Sequence, residues 1–150
     1  MSPRKPVYPG HSHFVPYLLN RVTSLINIDF TAALRKESMT LTHWRVLAFL
    51  HEHDGLGVSA LAGATVTDQA TLSRALTRME KRGLVQRRVR DADQRFVEVF
   101  LTRAGRQRFA KLLHIALELE TRAVRGMSKH EIEQLRGSLA RLAANASTER

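Results

Sequence analysis

Apolar side chains recur at Leu18, Val22, Leu25, Ile26, Phe30, Ala33 and Leu34, in steps that match the turn of a helix. The apolar face is wider than one core-facing stripe requires. Such a helix is expected to bury more than one side, as one shared between a core and a subunit interface does. Ahead of it, residues 1–13 are rich in proline and read as a flexible leader. A second helix opens at Leu41 with Thr42 as the expected N-cap, carries Trp44, Val46, Leu47 and Leu50, and closes across His51–Gly55. Gly55-Leu56-Gly57 reads as a turn, and a short third helix is expected over Ser59–Ala64.

A fourth helix is expected to begin near Thr67 or Asp68. Leu72, Ala75, Leu76 and Met79 form its apolar stripe, and its other face carries Gln69, Thr71, Ser73, Arg74, Thr77 and Arg78. Lys81-Arg82-Gly83-Leu84 supplies cations for the negative helix end, a glycine for the left-handed position and an apolar residue after it. The period then falls to two: Val97, Val99 and Leu101 alternate with Phe96, Glu98 and Phe100. Val85–Val89 is the expected partner strand, and residues 91–94 the hairpin apex.

Thr102 is placed to cap a fifth helix, whose apolar face holds Phe109, Leu112, Leu113, Ala116, Leu117 and Val124 before Gly126 interrupts it. Ser128 and Glu131 then match a capping box. Ile132, Leu135, Leu139, Leu142 and Ala146 follow at alternating three and four residues, a narrow seam suited to a partner helix of the same or another chain. The expected fold is mainly α with a small β-hairpin: a winged helix-turn-helix lobe over residues 41–102, flanked by long helices at 14–40 and 103–147, all in one domain.

Charge sharpens this picture. The chain carries +10 over 150 residues. Residues 67–108 alone hold eleven Lys/Arg against five Asp/Glu, whereas the segments on either side carry only +2 each. A basic excess concentrated on the fourth helix and the hairpin is the footprint of a localised polyanion site. In a helix that enters a major groove, Arg74 and Arg78 can pair with guanine or phosphate, and Gln69 with adenine. Thr71, Ser73 and Thr77 can reach phosphates or base edges, and Ser59 and Arg90 add to this set. The hairpin has both signs: Asp91 and Asp93 stand between Arg90 and Arg95. These aspartates are either ordinary turn residues or ion-pair partners that orient neighbouring arginines.

Other chemistries find little purchase. There is no cysteine, which excludes disulfides, thiolate metal sites and thiol redox sensing. No Gly-rich phosphate loop, H-E-x-x-H or G-x-S-x-G occurs, so no enzymatic activity and no cofactor are expected. The seven histidines show no ligand spacing. No apolar run approaches the roughly 18 residues of a membrane span, and a cytoplasmic location is expected.

The run LTHWRVLAFL, the recognition-helix LSR, the exit MEKRGLV, D-x-R at Asp93 and Arg95, and LT-x-x-G from Leu101 to Gly105 together resemble the MarR family of bacterial winged-helix transcription regulators. The resemblance extends over about residues 14–147. It implies a homodimer with interlocked first and last helices, placing Leu18, Val22, Leu135, Leu139 and Leu142 in the interface. It implies recognition helices in successive major grooves of a roughly palindromic operator, with Ser73 and Arg74 as contact residues. Arg95 becomes the wing arginine, and Asp93 the acid that holds local arginines in place. It further implies a response to a small aromatic or phenolic acid, for which Arg21, His43 and Trp44 are candidates, although a lone Trp on an apolar helix more often packs. Family precedent favours repression. The alternative from the residues alone is a nonspecific nucleic-acid-binding or architectural protein, or a winged-helix module that binds protein.

Overall fold

The computed structural model describes residues 7–90 and 93–148, and side chains over 7–90 and 96–147. After a single 3-10 turn at His11–His13 come α1 (Val15–Lys36), α2 (Leu41–Glu52), β1 (Leu56–Gly57), α3 (Val58–Thr65) and α4 (Gln69–Lys81). β2 (Val85–Arg90), β3 (Asp93–Leu101), α5 (Arg103–Ala123) and α6 (Lys129–Thr148) follow. The chain divides into two compact units, Met1–Ala116 and Leu117–Arg150. No described helix is long and apolar enough to cross a membrane.

The first unit is built around Leu34 and Met39, with Val46, Leu47 and Leu50 from α2, Leu61 from α3, Leu72, Leu76 and Met79 from α4, Val85 and Val99 from the sheet, and Leu112 from α5, all essentially inaccessible. The apolar stripe expected on α4 is therefore the face it buries. Removing water from side chains of this size stabilises by about 1.5–3 kcal/mol each.

Helix termini show how the sequence sets the boundaries. The N-cap of α2 is Thr40, not Thr42: Thr40 has an extended backbone, and its Oγ1 accepts the His43 N–H at 3.2 Å. In return the Thr40 N–H donates to His43 Nδ1 at 3.3 Å. Thr42 lies inside the helix, where its hydroxyl cannot reach forward to an unpaired amide two or three residues on in the way a cap does. Asp68 caps α4 by accepting the Thr71 N–H at 2.8 Å. At the far end Gly83, with φ +67°, donates to the Glu80 carbonyl, and Leu84 donates to that of Met79, closing the helix with two bonds. The third helix runs one residue further at each end than expected, and Arg45 donates to the carbonyl of the buried Thr65 at its C-terminus.

The sheet has three strands, in the order β1-β3-β2, rather than the two of a plain hairpin. Leu56 and Gly57, expected as a turn, pair antiparallel with Val99 and Glu98. A two-residue strand has no periodicity for a sequence reading to detect. Its entry is tight: Gly55 adopts φ +81°, and a Cβ there would lie 2.8 Å from the Phe100 ring. Between β2 and β3 the register runs from Val85 opposite Leu101 to Val89 opposite Val97, with an irregularity after Val89. Val85, Val99 and Leu101 are buried while Val89 is 55% exposed, so the hairpin leaves the core as it extends.

Thr102 caps α5 as expected, accepting the Gly105 N–H at 3.0 Å. A Cβ on Gly105 would lie 2.0 Å from the Leu84 carbonyl oxygen, so the start of α5 sits directly against the strand entry. In the second unit the Ser128–Glu131 capping box forms in full. Leu135, Leu139 and Leu142 on α6 are each 40–42% exposed, and Leu117 on α5 is half exposed while Leu119 is buried. On α1, Leu18, Val22, Leu25 and Ile28 are exposed and Phe30 and Leu34 buried.

Candidate nucleic-acid interface

α4 turns its polar face outward along its length. Gln69, Ser73, Arg74 and Arg78 are exposed and Thr71 and Thr77 half-buried, opposite the buried Leu72, Ala75, Leu76 and Met79. The polar side chains hold each other in place. Gln69 Nε2 donates to Ser59 Oγ at 3.4 Å, which joins the first turns of α3 and α4. Arg74 Nη2 donates to Thr71 Oγ1 at 3.3 Å, one turn back. Ser73, Arg74, Thr77, Arg78 and Lys81 line one shallow groove along the helix. The Asp68 carboxyl is held below its ordinary range, chiefly by the Thr71 backbone N–H that it caps.

The hairpin beside this helix is braced by cations. Arg90 pairs with Glu98 at 3.2 Å across the strands. The Arg88 guanidinium lies 5.0 Å from the Phe100 ring centre, a cation–π contact. Arg87 turns back to α4: Nε and Nη2 donate to Glu80 Oε2, and its backbone N–H donates to Glu80 Oε1. These bonds hold the Glu80 carboxyl below its ordinary range. Ser59 and Arg90, far apart in sequence, both line a cleft of about 640 Å³ that also takes in Leu56, Val58, Phe96 and Glu98. Asp93 and Arg95 belong to β3, with Asp93 opposite Arg90 in register, but their side chains lie outside the described residues, as does Asp91 altogether.

The three candidates for effector contact have different surroundings. His43 is 5% exposed, its ring engaged in the α2 cap and its imidazole pushed below the usual range, first by burial and then by Arg82 and Arg78. Trp44 is half-buried, edge-on to Phe30 and stacked on Phe109, both at 5.5 Å. Arg21 is exposed on α1, and among the described residues no hydrogen bond, ion pair or ring contact joins it to His43 or Trp44. Sequence reasoning missed Glu80, Glu98 and Arg82, the last of which donates to the Ser38 carbonyl at 2.7 Å. Glu80 is reached through a turn, Glu98 across strands, and Ser38 from a link 44 residues earlier, none of which any periodicity announces.

α4, with one polar and one buried face, is thus followed directly by a braced hairpin. The sequence profile of the MarR family matches residues 39–97, from the end of the α1–α2 link to the wing. A MarR-family transcriptional regulator from Silicibacter pomeroyi has a crystal structure that superposes with a TM-score of 0.86 at 32% identity, covering 95% of this chain and 96% of that one. The chain belongs to the MarR family. A second relative is the HTH-type transcriptional repressor IacR of Pseudomonas putida, 25% identical over 98% of this chain and 95% of that protein. MepR of Staphylococcus aureus, crystallised in complex with DNA, shares the fold with a TM-score of 0.77 at 24% identity, over 88% of this chain and 98% of that one. The MarR-family assignment accounts for the long helices outside the winged lobe, and the protein is a transcriptional regulator of that family.

Proposed function

We propose that this MarR-family regulator is a ligand-responsive repressor that binds a pseudo-palindromic operator as a homodimer. One observation carries the reading: α4 buries Leu72, Ala75, Leu76 and Met79 and presents Gln69, Ser73, Arg74 and Arg78 to solvent. A helix held rigidly from behind, with a varied set of donors and acceptors in front, suits base readout in a major groove. Ser59, Thr71, Thr77, Arg90 and the wing residues Asp93 and Arg95 complete the DNA contacts in this reading. A protein that only coated nucleic acid would need cations but not the Gln/Ser/Thr pattern between them.

Dimerisation supplies the two-fold symmetry that a palindrome requires. The residues proposed for it, Leu18 and Val22 on α1 and Leu135, Leu139 and Leu142 on α6, are large and apolar and stay exposed in the single chain. The effector class proposed is a small aromatic acid, with Arg21 as counter-ion and the open part of Trp44 as aromatic wall. The cap role of His43 makes it the least available of the three. The protein acts by occupancy in the cytoplasm and performs no catalytic step of its own.

Selection of duplexes from random-sequence DNA, followed by competition with scrambled duplexes across a salt series, tests the reading. The expected result is a palindromic consensus bound at least a thousandfold more tightly than scrambled DNA. Equal affinity at every salt concentration sinks sequence-specific readout.

A further inference from the structure

We propose that Glu80 is a positioning residue for operator binding, acting through Arg87 to fix the angle between the recognition helix and the wing. The inference rests on the DNA-binding reading above and extends it to a residue with no part in touching DNA. Glu80 occupies the last turn of α4 and Arg87 the third position of β2, with the left-handed turn at Gly83 between them. A turn of this kind is a natural hinge. Here both of its arms are tied across it.

The tie is unusually complete for a pair near the surface. Both Glu80 oxygens are used: Oε1 accepts the Arg87 backbone N–H at 2.9 Å, and Oε2 accepts Nε at 2.9 Å and Nη2 at 2.6 Å. Arg87 Nη2 also reaches Thr77 Oγ1 at 3.4 Å, one turn earlier on the groove-facing side of α4. Because one of the three donors is backbone, the carboxylate fixes the path of the strand as well as a side chain. Charge-assisted bonds of this kind are stronger and more directional than neutral ones.

Apolar packing does not supply the same restraint further out. Val89 is exposed, the pairing is irregular after it, and Phe96, which precedes Val97, the partner of Val89, is 56% exposed. Of the three contacts that brace the described wing, Arg90–Glu98 and Arg88–Phe100 lie within the β2–β3 hairpin. Arg87–Glu80 is the one of these three that crosses to the recognition helix. Base contacts from α4 and groove contacts from the wing must be made at once on a rigid duplex, so an error in this angle weakens one set whenever the other is formed.

The test is a double-mutant cycle on a duplex selected by the unaltered protein, with Glu80→Gln, Arg95→Ala and the pair combined. Glu80→Gln is expected to weaken binding about tenfold alone and less than threefold in the Arg95→Ala background, because the main groove contact that the tie would position is then already lost. Glu37→Gln, which breaks contacts to Arg108 and Lys111 away from the wing, controls for stability: it is expected to lower Tm without lowering affinity. Arg87→Lys keeps the charge but loses the fork, and it is expected to show the same non-additivity at about threefold if Glu80→Gln proves too unstable to assay. Additive losses, or unchanged affinity in both Glu80→Gln and Arg87→Lys, overturn the proposal while leaving the DNA-binding reading intact. Failure of the unaltered protein to select any duplex overturns both.

Discussion

Thr40 and His43 hold each other's backbone N–H groups across the first turn of α2, the hydroxyl accepting at 3.2 Å and the imidazole at 3.3 Å. The acceptor role requires a neutral ring, which burial enforces by pushing the His43 pKa below the ordinary value of 6.5. In the unfolded chain the ring regains that value, so between the two pKa values the unfolded state binds the extra proton. Stability is therefore fully present above about pH 6.5 and falls as pH drops toward the folded-state pKa. The carboxylates with lowered pKa, Glu37, Asp68, Glu80 and Glu131, act in a lower window, below their unfolded values of 3.8–4.5. Thermal melts from pH 7 to pH 5 should show Tm falling, and His43→Gln, which keeps a reciprocal acceptor, should flatten that slope. An unchanged slope in His43→Gln would show that the group responsible lies elsewhere.

The position of the cap yields a paired comparison. Thr40→Ala should cost about 1 kcal/mol in chemical denaturation, whereas Thr42→Ala, inside the helix, should stay within about 0.5 kcal/mol of the parent. Equal costs would contradict the assignment of Thr40 as N-cap.

Arg74→Ala should weaken operator binding by about 1–3 kcal/mol and relax specificity at one position of the half-site. Arg95→Ala should instead reduce the slope of log affinity against log salt by about 1 and weaken scrambled and selected duplexes alike. Fluorescence anisotropy over a salt series separates the two, and identical profiles would remove the distinction between reader and anchor.

Two glycines with opposite surroundings predict opposite signs. At Gly105 an added methyl would meet the Leu84 carbonyl at 2.0 Å, so Gly105→Ala should destabilise by about 2 kcal/mol or more. At Gly63, inside α3, nothing lies within 4 Å of an added Cβ, and Gly63→Ala should stabilise by about 0.5–1 kcal/mol. Denaturant midpoints for both variants check the signs.

Leu139→Asp, at a position already exposed in the single chain, should leave the fold of each unit intact and shift the protein from dimer to monomer. Light scattering coupled to size exclusion measures the mass directly. A dimer that survives both Leu139→Asp and Leu18→Asp would place the interface on other residues.

Periodicity determined most of the architecture. Spacings of three and four located the five principal helices, and the alternation of Val97, Val99 and Leu101 located the main strand, because a repeating apolar pattern has one geometry that buries it. The same logic marked the polar face of α4 as the candidate site, since its stripe of Leu72, Ala75, Leu76 and Met79 left Gln69, Ser73, Arg74 and Arg78 nowhere but outward. What escaped was aperiodic. The strand at Leu56–Gly57 exists because β3 offers it an edge, and Thr40 rather than Thr42 caps α2 because only Thr40 combines an extended backbone with an open amide three residues ahead. The partners of the arginines were also left to tertiary structure. Within one basic segment, Arg74 and Arg78 face solvent, Arg87 is committed to Glu80 and Arg90 to Glu98. Charge counts along a chain are sums, whereas an ion pair is decided by which side chains folding brings within about 4 Å of each other.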